Sequence, residues 1–154
     1  MKFHGKYRID DLEKNMKFCK AGKVILSEKL KFLKKLIEKY LDDDSVRNLH
    51  KMRIAIRRFR YVLEVFAPCY KPKLFNYVYN KMKFLQDIVG EARDLDVLSE
   101  KIRNVAGENG LSVPEKFFEQ IQAEKSRVTE IIKEELIKFM DDKYVNKFLT
   151  TKKR

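Results

Sequence analysis

The chain has 154 residues, and 35 Lys and Arg against 23 Asp and Glu give it a formal net charge of +12. A hydrophobic fraction of 44% excludes an intrinsically disordered chain, and the lack of any uncharged window of about 18 residues excludes a transmembrane helix. The excess of positive charge favours a polyanionic partner, namely a nucleic acid, an anionic membrane surface or a phosphate polymer.

Glycine and proline are scarce, and apolar residues recur at spacings of three and four, which predicts helices. Residues 1–21 form either a mobile N-terminal arm or a short helix around residues 11–18. We assign residues 22–149 to one helical domain and residues 150–154 to a flexible basic tail. The predicted helices cover residues 22–41, 46–66, 73–105 and 113–140, followed by a short segment over residues 144–149 that packs back on the bundle.

The helix-breaking residues separate these segments by short connections. Asp44 or Ser45 is expected to cap the second helix, and Pro68 and Pro72 are expected to end it. Ser112 is the expected N-cap of the fourth helix, with a proline in the first turn. Short connections favour antiparallel neighbours, so the predicted fold class is all-α, an antiparallel four-helix bundle.

The two cysteines lie 50 positions apart, a spacing that fits no metal site. We interpret Cys19 and Cys69 as reduced intracellular thiols. The first six residues hold no apolar core of signal-peptide length, so we expect the chain to stay in the cytoplasm.

The second helix has two different faces when its residues are placed 100° apart. Its apolar face holds Leu49, Met52, Ile56, Phe59, Leu63 and Phe66. Beside that face runs a polar stripe about four turns long, with Arg47 and Arg58 on its outer flank. The stripe itself is made of His50, Arg53, Arg57, Arg60 and Tyr61.

This stripe is a column of cations without acidic neighbours along its own helix. A solvated charged face would place acids four residues from each arginine, but only Arg60 has such a neighbour, Glu64. Repulsion between stacked arginines is costly unless an anion neutralises them, and arginine forks bind phosphates by paired hydrogen bonds. The column therefore predicts an anion site, in which His50 can donate a ring N–H.

The third helix repeats this design more weakly. One side carries Tyr79, Lys83, Gln86, Gly90 and Arg93. A glycine inside a helix costs about 1 kcal/mol relative to alanine. Gly90 therefore indicates the close approach of either another helix or a ligand.

Carboxylates follow at the end of that stripe. Asp94 and Asp96 could orient the arginines of the second helix. No Glu-x-x-His pair accompanies them, so a metal site is not expected. His50 has no serine or cysteine nearby in the sequence, so nucleophilic catalysis is not expected either.

Together the two segments resemble the CHAD domain, the conserved-histidine α-helical domain. The family pattern is His-x-x-Arg-x-x-x-Arg-Arg-x-Arg, followed by Lys-x-Leu-x-x-x-x-Gly-x-x-Arg-Asp-x-Asp. The chain matches it at His50, Arg53, Arg57, Arg58, Arg60, Lys83, Gly90, Arg93, Asp94 and Asp96. The close match covers about residues 46–101.

The resemblance implies an all-helical domain that binds inorganic polyphosphate in a basic groove and has no catalytic activity or cofactor. It assigns the binding role to His50, Arg53, Arg57, Arg58, Arg60, Lys83 and Arg93. Asp94, Asp96 and Tyr61 would support these residues. Relatives also occur at polyphosphate granules in the cytoplasm, and we expect the same location here.

The chain differs from the family's usual domain, which has two related four-helix halves facing a shared groove. It has one of each motif and room for about four long helices, so it resembles a single half. We therefore expect a homodimer that completes the groove. The alternatives are a nucleic-acid-binding protein that uses the same basic face and, less favoured without a phosphate-binding loop, an enzyme acting on the polymer.

Overall fold

The computed structural model describes residue 9 and residues 11–150, with side chains through residue 148. This part of the chain contains helices and no strand, which confirms the all-α fold. Its elements are α1 (Phe18–Asp42), α2 (Val46–Phe66), a 3₁₀ helix (Ala67–Cys69), α3 (Pro72–Glu108), α4 (Glu115–Met140) and α5 (Lys143–Thr150). The predictions for residues 1–8, residue 10 and residues 151–154 lie outside the described residues.

Consecutive long helices pack side by side, and α5 returns to contact α3 and α1. The predicted apolar face of α2 lies in the core, where Leu49 and Ile56 are fully buried beside Leu26 and Ile37 of α1. The spacing of apolar residues therefore identified this buried face correctly. No helix within the described residues combines the length and the apolar character that crossing a membrane requires.

The connection between α1 and α2 is fixed by hydrogen bonds that the sequence predicted in part. The Asn48 backbone N–H donates to Ser45 Oγ at 3.3 Å, so Ser45 caps α2 as expected. The Asn48 side-chain amide donates to the Asp43 carbonyl at 2.8 Å. Asp44 instead reaches Lys133 of α4 at 2.8 Å, and the hydrogen bond from that ammonium lowers the pKa of the Asp44 carboxyl.

Pro72 and Ser112 do not have the roles expected for them at the helix ends. Pro72 does not end α2 but begins α3, where a missing backbone N–H costs nothing. Pro114, rather than Ser112, occupies the N-cap position of α4, and Glu115 supplies the negative charge in its first turn.

The interpretation of the cysteines as reduced thiols was also wrong. Cys19 and Cys69 form a disulfide, with their Cα atoms 5.4 Å apart. Helix α1 begins at Phe18, several residues before the predicted start, and runs back along α2. Its first turn therefore reaches the 3₁₀ helix that follows α2. The thiol argument for a cytoplasmic location loses its basis.

Close packing between α1 and α2 depends on Gly22. A Cβ atom at this position would lie 2.3 Å from Phe66 Cδ1, which is too short for any real contact. The ring of Phe18 also packs on the ring of Phe66, with centroids 4.8 Å apart. The absence of a side chain at residue 22 thus sets the distance between the two helices beside the disulfide.

The short helix α5 packs back as predicted, and Asp142 anchors it. Asp142 Oδ1 accepts the backbone N–H groups of Tyr144 at 2.8 Å and Val145 at 3.1 Å. The Tyr77 hydroxyl of α3 donates to Asp142 Oδ2 at 2.7 Å. This hydrogen bond, with burial as the second cause, raises the pKa of Tyr77 to about 12.

Candidate functional site

The apolar face of α2 lies against the core, and this orientation fixes where its polar stripe points. Leu49, Met52 and Ile56 are fully buried, so His50 and Arg57 project into solvent while Arg53 is half-buried at the edge. Arg58 is exposed on the outer flank. Seven residues separate Arg53 from Arg60, a distance of about 10 Å along the helix axis.

Most of these cations are unpaired. No side-chain hydrogen bond or ion pair with a described residue is made by His50, Arg53, Arg57 or Arg58. Asp44, which precedes α2, pairs with Lys133 instead. The middle of α2 therefore presents cations that no ion pair within the described residues neutralises.

Arg60 differs from the other arginines of the stripe. Its Nε lies 3.5 Å from Glu64 Oε1, and its guanidinium lies 5.5 Å from the ring centre of Tyr61 and 5.9 Å from that of Tyr79. The Tyr79 hydroxyl donates to the same Glu64 oxygen at 2.8 Å. Only 19% of the Arg60 side chain is exposed, and its Nε makes no hydrogen bond. Arg60 closes one end of the stripe and is held in place.

Helix α3 supplies the second side of the site. Arg60 approaches Tyr79, whereas Arg53 lines a cleft with Gln86 and Gly90. Higher residue numbers on α2 therefore lie beside lower residue numbers on α3. The two polar stripes therefore adjoin and run antiparallel. Lys83 and Arg93 on α3 also have no partner among the described residues. The predicted site residues of both helices are thus placed on neighbouring faces.

Gly90 does not lie at a close contact with another helix. A Cβ atom at residue 90 would meet nothing within 4 Å, in contrast to residue 22. The backbone of α3 is open to the cleft at this point, and the Oε1 atom of Gln86 beside it is buried without a hydrogen-bond partner. Of the two explanations for Gly90, another helix and a ligand, the structure agrees with the second, because it leaves space for a ligand there.

The cleft beside Arg53 has a volume of about 490 Å³ and a wall that sequence reasoning did not identify. The carboxylates of Asp87, Glu91 and Asp94 line it, together with Leu95 and Leu98. Their spacing of four and three residues places them on one face of α3. That spacing is visible in the sequence, but its relation to Arg53 depends on how α2 and α3 pack.

The two aspartates predicted to orient the arginines do not pair with them. Asp94 is exposed and makes no hydrogen bond or ion pair with a described residue. Asp96 is nine-tenths buried and pairs with Lys125 of α4. Neither carboxylate contacts an arginine of α2 directly.

Metal-binding residues are not clustered in the described part of the chain. No group of three or more His, Cys, Asp or Glu side chains there could hold a metal ion. What the site offers instead is guanidinium, imidazole and ammonium donors along two helices. Such donors suit an anion with oxygen acceptors.

Comparison with known proteins gives a match to one family. The family model for the CHAD domain matches residues 23–147, well beyond the segment that carries the motifs. The family is associated with polyphosphate binding in general. No curated protein and no solved structure matches the chain.

Proposed function

The chain belongs to the CHAD domain family, and from this membership we propose that it binds inorganic polyphosphate along the adjoining stripes of α2 and α3. The observation that carries the proposal is the set of unpaired cations on these stripes. They are His50, Arg53, Arg57, Arg58, Lys83 and Arg93, with Arg60 held at one end.

The shape of the stripe suits a linear anion. Arg53 and Arg57 lie one helical turn apart, so they can contact successive parts of a phosphate chain. Each guanidinium can make paired hydrogen bonds to phosphate oxygens. Gly90 leaves the backbone of α3 open on the facing side. A polymer without bases needs only charge and hydrogen-bond donors, and the stripe supplies both.

A nucleic acid is the second candidate for the same face. One observation favours it: Tyr61 is 50% exposed beside the column and offers a ring on which a base could stack. The rest of the stripe is made of cations, and single-strand binding surfaces use several aromatic side chains. We therefore rank nucleic acid below polyphosphate.

Competition distinguishes the two candidates. Labelled long-chain polyphosphate is bound to the protein, and single-stranded RNA or duplex DNA is added at equal phosphate concentration. We expect neither nucleic acid to displace half of the polyphosphate, whereas unlabelled polyphosphate does so. Displacement by RNA or DNA at equal phosphate concentration would contradict the proposal.

We propose that binding occurs without catalysis. The described part of the chain contains no cluster of metal ligands to activate water on a phosphate. Polyphosphate incubated with the protein and Mg²⁺ or Mn²⁺ should keep its chain length on a gel and release no phosphate. Phosphate release at a rate proportional to the concentration of the purified protein would contradict binding without catalysis.

We also propose that two copies complete the groove. One chain supplies a single column on α2, and a two-fold axis would place a second column opposite it. Light scattering at the concentration of a binding assay should give a dimer mass. Monomers that bind polyphosphate at full affinity would contradict the dimer and leave the binding proposal intact.

For location we propose the cytoplasm, at polyphosphate granules. The disulfide between Cys19 and Cys69 argues against this, because reducing compartments keep such bonds open. Fluorescence microscopy of the tagged protein should find it on polyphosphate granules in the cytoplasm. A protein found outside the cytoplasm would contradict the location.

A further inference from the structure

The cleft beside Arg53 combines opposite charges that do not pair with each other. Asp87, Glu91 and Asp94 line the cleft together with Arg53, yet none of them forms an ion pair with it. Asp87 and Asp94 have no partner among the described residues. Glu91 has only Arg127 at 3.9 Å, and because both side chains are more than half exposed this pair is weak.

We propose that these three carboxylates, the acidic row, determine selectivity by repelling duplex nucleic acid from the basic stripe. The inference rests on the proposed function, because it takes that stripe as the anion site. The row itself binds no ligand. It limits the width of the anion that can lie on α2.

The physical basis is the range of the repulsion. Charges in 0.15 M salt interact over a Debye length of about 8 Å. The acidic row lines the same cleft as Arg53, so an anion there is close to both. A single phosphate chain can follow the adjoining stripes, where His50, Arg57 and Lys83 are exposed, and keep the row to one side. Its attraction to the column is then largely preserved.

A duplex that lies across the adjoining stripes of α2 and α3 cannot keep the row to one side. It carries about one negative charge per 1.7 Å of axis, divided between two backbones. With one backbone on the α2 column, a second backbone on the α3 side comes close to Asp87, Glu91 and Asp94, which line the cleft beside Arg53. These unneutralised carboxylates then face phosphates at short range, which opposes binding.

The test compares two double variants that change the net charge equally. D87N/E91Q removes two carboxylates of the acidic row while keeping side-chain shape. E130Q/E134Q removes two exposed carboxylates of α4 that have the same spacing and form no described ion pair. Each variant raises the net charge by two. Affinities for a 20-base-pair duplex DNA and for long-chain polyphosphate are measured at 0.15 M salt.

We expect D87N/E91Q to gain at least tenfold more duplex affinity than the control variant gains. Polyphosphate affinity should change by a similar factor in both variants, within threefold. Equal gains in duplex affinity would overturn the proposal, because total charge would then explain them. A tenfold larger gain in polyphosphate affinity for the row variant would overturn it too.

These outcomes are distinct from failure of the proposed function. If the wild type binds no polyphosphate, the polyphosphate measurement by itself contradicts the proposed function. The duplex arm still compares the two variants and still decides what the acidic row does. Circular dichroism spectra that match wild type for both variants show that the fold is retained.

Discussion

Arginines on one helical stripe have different environments in this protein. Arg53 and Arg57 are unpaired, while Arg60 is held by Glu64 and by the rings of Tyr61 and Tyr79. The sequence could predict the stripe and the Glu64 contact, because both follow from positions along one helix. It could not predict that Tyr79 shares Glu64, because that contact depends on the register between α2 and α3.

Two glycines allow opposite predictions for the same substitution. Gly90→Ala adds a methyl group in open space and removes the conformational cost of glycine, so the free energy of unfolding should rise by about 0.5–1 kcal/mol. Gly22→Ala forces a methyl group against Phe66 and should lower it by about 1–3 kcal/mol. Urea unfolding measures both. A Gly90→Ala variant less stable than wild type would contradict the open cleft.

The hydrogen bond from Tyr77 to Asp142 predicts a pH dependence at high pH. The pKa of Tyr77 is about 12 in the folded chain, against 10.0 for an ordinary tyrosine. The native state therefore favours the protonated hydroxyl. Stability from this group is fully present below pH 10 and is lost as the pH rises through 12. The stability difference between wild type and Tyr77→Phe should therefore be constant up to about pH 10 and then shrink.

That difference is measured by urea unfolding of both proteins at each pH. The comparison cancels the titration of lysines and of the other tyrosines, which both proteins share. A difference that stays constant from pH 9 to pH 12 would show that the Tyr77 hydroxyl does not anchor α5.

At the scale of helices, the sequence predicted which segments are helical and which of their faces are buried. It predicted less well where the helices end and which residues pair between elements. The bounds of α2 were predicted correctly, because Ser45 and the apolar spacing mark them. The start of α1 was not, because no N-cap side chain marks it: Lys17 makes no capping hydrogen bond. The disulfide was missed for the same reason, since the early start of α1 brings Cys19 to Cys69.

This disulfide should contribute measurably to stability. It closes a loop with a sequence separation of 50, and loop-closure entropy assigns about 4 kcal/mol to such a bond. We expect dithiothreitol to lower the free energy of unfolding by about 2–4 kcal/mol. The Cys19→Ser/Cys69→Ser variant is the control, since its stability should not respond to the reductant. A wild type unaffected by complete reduction would contradict a structural role.

At the scale of the whole molecule, the net charge of +12 is less informative than its distribution. Many lysines lie on exposed helix faces, and some pair locally, as Lys31 does with Glu28 at 3.3 Å. The cations that matter for function are the unpaired ones where α2 and α3 meet. Helical spacing predicted their positions along each helix. It could not predict the acidic row beside them, because the packing of α2 against α3 creates that neighbourhood.

Counterion release gives the binding proposal a quantitative form. Each phosphate contact on a single-stranded polyanion contributes about 0.7 to the slope of log affinity against log salt. Removing Arg53 and Arg57 should therefore reduce the magnitude of that slope by about 1.4. An unchanged slope in the double variant would show that these arginines do not contact phosphate.

The most direct measurement is the affinity of Arg53→Ala/Arg57→Ala for long-chain polyphosphate at 0.15 M salt. Its matched control is Lys35→Ala/Lys39→Ala, which removes two exposed, unpaired cations with the same spacing from α1. Hydrogen bonds to charged groups are worth about 1.5–3 kcal/mol each, so the arginine variant should lose at least tenfold in affinity. The lysine variant should lose less than threefold. Equal losses in the two variants would contradict a specific site on α2.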